Sequence, residues 1–240
     1  MRTDKGTMLI ELYNETPLHR DNFIKLAGDK ALDSLLFHRV INEFMIQGGD
    51  PDSKYAKAED TLGNGDLPYL VDAEIHPDLF HKKGVLAAAR DDTPTRASSA
   101  MQFYIVQGKV WNDSLLDRSE GRINNWLAEH QLKQDSIHEP LLDALQESYK
   151  NGDRELATLL SDSILNVAKT YTAFKTYTIS ESHRQVYRTI GGTPHLDQNY
   201  TVFGEVVSGF DVIDSIATVK TNPMDRPLLD VRIQSVRVKE

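Results

Sequence analysis

Arg39 is the residue whose setting most invites chemistry. It lies in the stretch Phe37 to Asp50, FHRVINEFMIQGGD, with an aromatic ring at Phe44, a thioether at Met45 and an amide at Gln47. Phe37, Arg39 and Ile41 alternate with His38 and Val40, the period of a β-strand. Asn42-Glu43 reads as a turn. In the second run Met45 and Gln47 share a face opposite Phe44 and Ile46, and the pattern stops at Gly48-Gly49-Asp50. Arginine is rarely buried without a partner. This cation belongs either to a surface that uses it or to an edge strand that turns it to solvent, and spacing weighs the two equally. Covalent and metal chemistry have less support. The chain has no cysteine, which excludes thiolates and disulfides. It carries no Gly-x-Ser-x-Gly elbow and no convincing pair of catalytic acids. His76 and His81 lack metal-ligand spacing. Gly63-Asn64-Gly65 is followed by neither a helix nor Lys-Ser/Thr, so it reads as a turn rather than a phosphate cradle.

The elements that must position these residues fit in 240 residues, enough for one large domain or a domain plus a module. A hydrophobic content of 40% with 26% charged residues fits a soluble globular protein. The net charge of -9 disfavours nucleic acid and anionic membrane surfaces. No apolar run approaches the roughly 20 residues of a membrane span. Arg2 to Gly6 is polar and is no signal peptide. The abrupt strand start at Thr7 suggests a chain cut free of an upstream segment, such as a signal.

Thr7 to Tyr13 is expected as a strand with Met8, Ile10 and Leu12 on one face. Thr16-Pro17 starts a helix whose apolar stripe runs to Gly28. Residues 51–68 form a polar loop, and Val71 to Ile75 a short strand. Gly84 to Arg90 is a strand whose alanines 87–89 allow either close packing or a ligand lying on the backbone. In Met101 to Gln107, Phe103 and Ile105 face inward, with Gln102 and Tyr104 opposite. From Lys109 to Ile190 the pattern turns helical. Ser119 is read as the cap of one helix, Glu139-Pro140 as the start of a second, and Leu156 to Phe174 as an amphipathic stripe. Ser180 caps a last helix that ends at Gly191-Gly192. Thr201 to Val207 is a strand, Phe210 to Ala217 a helix, and Pro227 to Val238 an alternating strand with a slip near Ser235.

The run F-H-R-V-I followed by F-M-x-Q-G-G-D resembles the signature of the cyclophilins, peptidyl-prolyl isomerases that form a closed barrel. Gly84–Ala89, Ser99–Ile105 and Val202–Val206 are similar, in register, to later strands of that family. The resemblance covers roughly residues 6–107 and 191–240. It implies a mainly β fold with a helical insert: a closed eight-stranded antiparallel barrel, filled by side chains, capped by two helices and interrupted by an α-helical insertion. The barrel would be discontinuous, over 1–107 and 191–240, with the insertion at 108–190. The implied activity is rotation about X-Pro peptide bonds, which needs no cofactor and no metal. By the same resemblance Arg39 would be the catalytic donor, and Gln47 would orient it and contact the substrate backbone. Phe44, Met45, Tyr104 and Leu196 would form the proline pocket. Gln102 would lie in the groove, and Ala89 and Arg90 would meet the residue before the proline. His38 would point away from the groove and be structural.

Four positions depart from the family pattern. Arg90 stands for asparagine, Tyr104 for phenylalanine and His195, beside Leu196, for a tryptophan of many members. Tyr200 stands where eukaryotic members often carry histidine; it resembles bacterial members and keeps a donor for a substrate carbonyl. The implied partners are proline-containing polypeptides, met by a monomer in a bacterial cytoplasm or periplasm. The insertion returns just before His195, so it is expected to be either a second contact for client chains or an elaborated loop that only stabilises the fold. The alternative to an isomerase is a binding or chaperone module of cyclophilin fold with weak or no activity.

Overall fold

A computed structural model describes residues 1–239. In chain order its elements are β1 (Arg2–Thr3), β2 (Gly6–Thr7), β3 (Leu9–Leu12), α1 (Pro17–Gly28), β4 (Phe37–Ile41), β5 (Met45–Gly48), β6 (Leu70–Val71), β7 (Val85–Ala88), β8 (Ser98–Ser99) and β9 (Phe103–Val106). Four helices follow: α2 (Asp113–Leu132), α3 (Glu139–Lys150), α4 (Arg154–Ala168) and α5 (Glu181–Thr189). The chain ends with β10 (Val202–Ser208), α6 (Phe210–Ala217) and β11 (Ile233–Ser235). No helix among the described residues is long and apolar enough to cross a membrane.

The strands pair antiparallel in three sheets, ordered β3-β10-β7-β9-β5-β4, β11-β1-β2 and β6-β8. Among the described residues these ladders do not join into one eight-stranded ring. An isolated bridge from Leu36 to Arg232 links the start of β4 to the segment before β11. The strand expected over residues 227–238 is confined to Ile233–Ser235, and Gln234 is an extra residue in its pairing: Arg2 faces Ser235 while Thr3 faces Ile233. The strand expected over Val71–Ile75 is confined to Leu70–Val71. Beyond it the backbone finds side-chain partners instead, the Glu74 N–H donating to Thr201 Oγ1 at 3.0 Å.

The six-stranded sheet is apolar on both faces, because the two-residue period sends alternate side chains into two layers. Ile46, Leu86, Phe103, Ile105 and Phe203 pack with Phe23 and Leu26 of α1 and Ile213 and Ile216 of α6. Met45, Ala87, Tyr104, Val106 and Val202 pack on the other side with Leu196, Phe44 and Tyr200. Phe103 meets Phe23 edge-on at 5.6 Å between ring centroids. Truncating so buried a phenylalanine to alanine costs about 3–5 kcal/mol.

Helix α1 starts where the Thr16-Pro17 pair places it, but the Thr16 side chain makes no capping bond. Glu74 does the capping from a distant loop. Its carboxylate accepts from the Leu18 and His19 N–H groups, both at 3.0 Å, and from His19 Nδ1 at 2.7 Å, placing negative charge at the positive helix end. Helix α2 begins earlier than Ser119: Asn112 is its cap, accepting from Leu115 N–H at 2.9 Å. Ser119 sits mid-helix and donates to the Leu115 carbonyl. Asp153 and Ser180 cap α4 and α5. Helix α4 ends at Ala168, so Tyr171 and Phe174 lie beyond it but still pack on the α2–α4 apolar cluster. The helical segment leaves and returns through one backbone clasp, with Gly192 N–H donating to Lys109 O at 3.0 Å. A Cβ on Gly108 would lie 2.4 Å from the Gly192 Cα, so only glycine allows the two chains to approach so closely.

Candidate functional site

The β4–β5 hairpin sets Arg39 and Gln47 opposite one another. The register slips between Phe37 and Arg39, because Phe37 faces Gly48 and Arg39 faces Gln47, leaving His38 as the extra residue. This bulge breaks the strict alternation expected from the sequence. Phe37 and Val40 go to the main core, Ile41 packs on the opposite layer, and His38 comes round beside Arg39. His38 therefore does not point away from the groove: it lines the same cavity. It is buried, neither ring nitrogen has a protein partner, and burial together with Arg39 and Arg226 lowers its pKa to about 4, Asp50 opposing.

The cavity holds about 300 Å³. Arg39 and Gln47 line one part of it, and Phe44, Met45, Tyr104 and Leu196 an apolar part. Ala89, Arg90 and Tyr200 line it as well. Phe44 belongs to the turn rather than to β5, which is how it joins Met45 instead of opposing it. Alanines 87 and 88 are buried by packing, and only Ala89 reaches the cavity. Arg39 is 44% exposed and its Nε lies 3.5 Å from Asp225 Oδ2. Asp225 is held in turn through its carbonyl, which accepts from the Val40 N–H at 2.8 Å. The Arg90 guanidinium covers the Tyr200 ring at 4.8 Å, and Tyr200 meets Tyr104 edge-on at 5.9 Å.

Two expected site residues do not line this cavity. Gln102 lies behind it: its amide donates to Gly63 O and Gly65 O at 2.9 and 2.8 Å, and its Oε1 accepts from Gln47 Nε2 at 3.0 Å. Gln47 is thus oriented by Gln102, and the partner that holds Arg39 is Asp225. His195 also sits behind the cavity, stacked on Phe44 at 5.6 Å and close to Trp111. Burial, with Arg122 and His81 nearby, lowers its pKa to about 4.

The Tyr104 hydroxyl does not open into the cavity. It lies 2.9 Å from His81 Nε2, and His81 Nδ1 donates to Asp197 Oδ1 at 2.9 Å. Asp197 also accepts from the His81 N–H at 2.8 Å and from the Tyr187 hydroxyl of α5, whose distances to its two oxygens are 2.9 and 2.8 Å. His81, Asp197 and Tyr187 are fully buried. Burial, with the Asp197 charge beside it, pushes the Tyr187 phenol well above its ordinary pKa. This chain of bonds runs from the helical segment to the cavity floor. Sequence reading missed it, along with the lining residues Leu62, Gly63 and Met224 and the Asp225 partner. Those residues lie in loops whose turn-forming composition says nothing about what they face.

The chain matches the family model described as "Cyclophilin type peptidyl-prolyl cis-trans isomerase/CLD" over residues 1–130 and 146–238. It is 30% identical over 241 residues to a "Putative peptidyl-prolyl cis-trans isomerase" of Staphylococcus aureus (strain USA300), covering 100% of this chain and 90% of that one. A Staphylococcus saprophyticus relative with the same description is 29% identical over the same shares. Among solved structures, a cyclophilin type peptidyl-prolyl cis-trans isomerase of Cryptosporidium parvum, crystallised in the presence of the dipeptide ala-pro, superposes with a TM-score of 0.57. At 16% identity it covers 100% of this chain and 97% of that one. These matches define the class as isomerases of cyclophilin fold. The chain belongs to the cyclophilin-type peptidyl-prolyl cis-trans isomerase family.

Proposed function

We propose that this chain rotates X-Pro peptide bonds of polypeptides in the 300 Å³ cavity, with the proline ring against Phe44, Met45, Tyr104 and Leu196 and the Arg39 guanidinium aimed at the proline nitrogen. The observation that carries this reading is the meeting of a cationic donor and an apolar grip in one cavity. Rotation must interrupt amide resonance, an uncatalysed barrier of about 18–20 kcal/mol. As the bond turns, the nitrogen pyramidalises and its lone pair becomes available to a donor. No bond breaks, so a nucleophile is not needed. Each tenfold acceleration takes about 1.4 kcal/mol, and a preorganised cation in a partly dry groove is suited to supply several such factors.

In this reading Asp225 fixes the Arg39 fork and Gln47 contacts the substrate backbone while Gln102 holds it. Ala89 and Arg90 meet the residue before the proline, and the Tyr200 hydroxyl donates to a substrate carbonyl. Gln102 and His195 support the groove from behind. Cis–trans exchange of a short X-Pro peptide, followed by NMR, tests the assignment. Arg39→Ala is expected to lose about two decades of acceleration or more, and Arg39→Lys most of it, because a point charge does not reproduce the planar fork. No acceleration by folded wild-type protein would move the chain to the binding-module reading.

We also read residues 1–107 with 191–240 as one barrel unit and 108–190 as an insertion on it. The Lys109–Gly192 clasp and the separate apolar cluster of α2–α4 support this division. The six- and three-stranded sheets, with β2 running on into β3 as one strand, are then the wall of an eight-stranded barrel, a reading the Leu36–Arg232 bridge supports. The protein acts as a monomer on proline-containing chains, the insertion adding a second contact with them.

A further inference from the structure

Beside the proline groove lies a second cavity of about 250 Å³, walled on one side by the 90–96 loop and on the other by α2. It shares Arg90 and Tyr200 with the groove, and it adds Arg96, Trp126, His130 and Lys133. Its character is cationic in a chain whose net charge is -9. Both guanidiniums are held by backbone carbonyls rather than by carboxylates. Arg90 Nε donates to Asn199 O at 2.9 Å and its NH1 to Asp91 O at 3.0 Å. Arg96 NH1 donates to Gln198 O at 2.8 Å. Among the described residues no carboxylate lies within 4.0 Å of Arg96, and the nearest to Arg90 is Asp92 at 3.9 Å. Each fork keeps N–H donors that no protein group takes up.

Two acids face the same space. Asp92, largely exposed, is bridged by Lys133 at 3.0 Å. Burial raises the pKa of Glu129, with Lys133 and Asp92 acting on it in opposite directions. The balance at the cavity wall is positive nonetheless: after burial, Arg96, Arg90 and Lys133 are what lower the His130 pKa to about 4, with Asp92 alone opposing. Asn199 lines the cavity, is 2% exposed, and its side-chain amide nitrogen has no partner.

We propose that this cavity is a subsite for an acidic side chain, Asp or Glu, carried by the polypeptide whose proline occupies the groove. Two planar forks with unused donors, anchored by carbonyls so that little order is lost on binding, match a carboxylate. Because Trp126 and His130 come from α2 and Lys133 directly follows it, the helical segment contributes selectivity as well as bulk. The inference rests on the isomerase reading of the adjoining groove.

The test uses the full chain and a set of X-Pro peptides with Glu, Gln or Lys placed one to three residues to either side of the proline. Binding is read from peptide NMR shifts, and turnover from cis–trans exchange. At one of these positions the Glu peptide is expected to bind roughly tenfold tighter than its Gln twin. That ratio should fall towards one in about 0.5 M salt and in both Arg96→Gln and Lys133→Gln, with the Lys peptide weakest throughout. A Glu-to-Gln ratio of one at every position, with the Gln peptides still turned over, overturns the subsite and leaves the isomerase reading intact. Absent turnover with the Glu preference retained would do the reverse.

Discussion

Tyr187→Phe is the substitution that asks most directly whether the helical segment holds the groove. It deletes one hydroxyl and keeps the ring, so packing against Phe80 at 5.4 Å is preserved. What is lost is a donor 2.8 Å from a carboxylate that is fully buried. Asp197 would keep the His81 N–H and Nδ1–H and a long contact from the Tyr177 hydroxyl at 3.5 Å. A hydrogen bond to a charged group contributes about 1.5–3 kcal/mol, and leaving a buried acceptor short of donors costs on that scale. In a chain of this size each kcal/mol moves Tm by about 2–4 °C, so a drop of about 3–12 °C is expected. Asp197 orients His81, and His81 pins the Tyr104 hydroxyl. Loosening the carboxylate should therefore raise KM for X-Pro peptides a few-fold while kcat changes little, since in the proposed reading Tyr104 grips the ring rather than the reacting nitrogen. Denaturant midpoints and a KM–kcat pair on wild type and variant give both readouts. A variant within about 0.5 kcal/mol of wild type with the same KM would refute the idea that these bonds transmit support to the groove.

Three further outcomes follow from the same geometry. The low folded pKa values of His38 and His195, about 4 each, mean that the unfolded chain takes up their protons first as pH falls. The stability they protect is complete above about pH 6.5 and is lost towards about pH 4, at most about 3 kcal/mol per histidine. Denaturant midpoints across that range should show it, and His195→Phe should remove part of the slope. Glu74→Ala uncaps α1 and strips His19 of its carboxylate, at a cost of about 1–3 kcal/mol; thermal melting decides, and an unchanged Tm would mean that water replaces the cap. Asp225→Ala removes an ion pair that is over a third exposed, so stability should change by under about 1 kcal/mol. Its effect should fall on kcat instead, through a less constrained Arg39, as measured by peptide exchange.

How much was legible before the structure depends on the range of the interaction involved. Periodicity and capping residues are local, and they placed α1, α3 and α5 and the two faces of β9 correctly. Ser119 misled because a serine before an apolar stripe looks like a cap whether or not the helix has already begun at Asn112. The β4 alternation failed at His38 because a bulge is set by the partner strand's register, which β4 does not encode alone.

The motif from Phe37 to Asp50 was sufficient to identify the family, because it is a short-range arrangement written into one hairpin. Tertiary structure alone decided what holds that arrangement in place. Asp225 lies far along the chain from Arg39, Glu74 from Leu18, and Asp197 from His81. Each contact is made by a residue whose own neighbours give no sign of its partner. The proposed acidic-side-chain subsite has the same origin: the 90–96 loop and α2, far apart in sequence, supply its two walls.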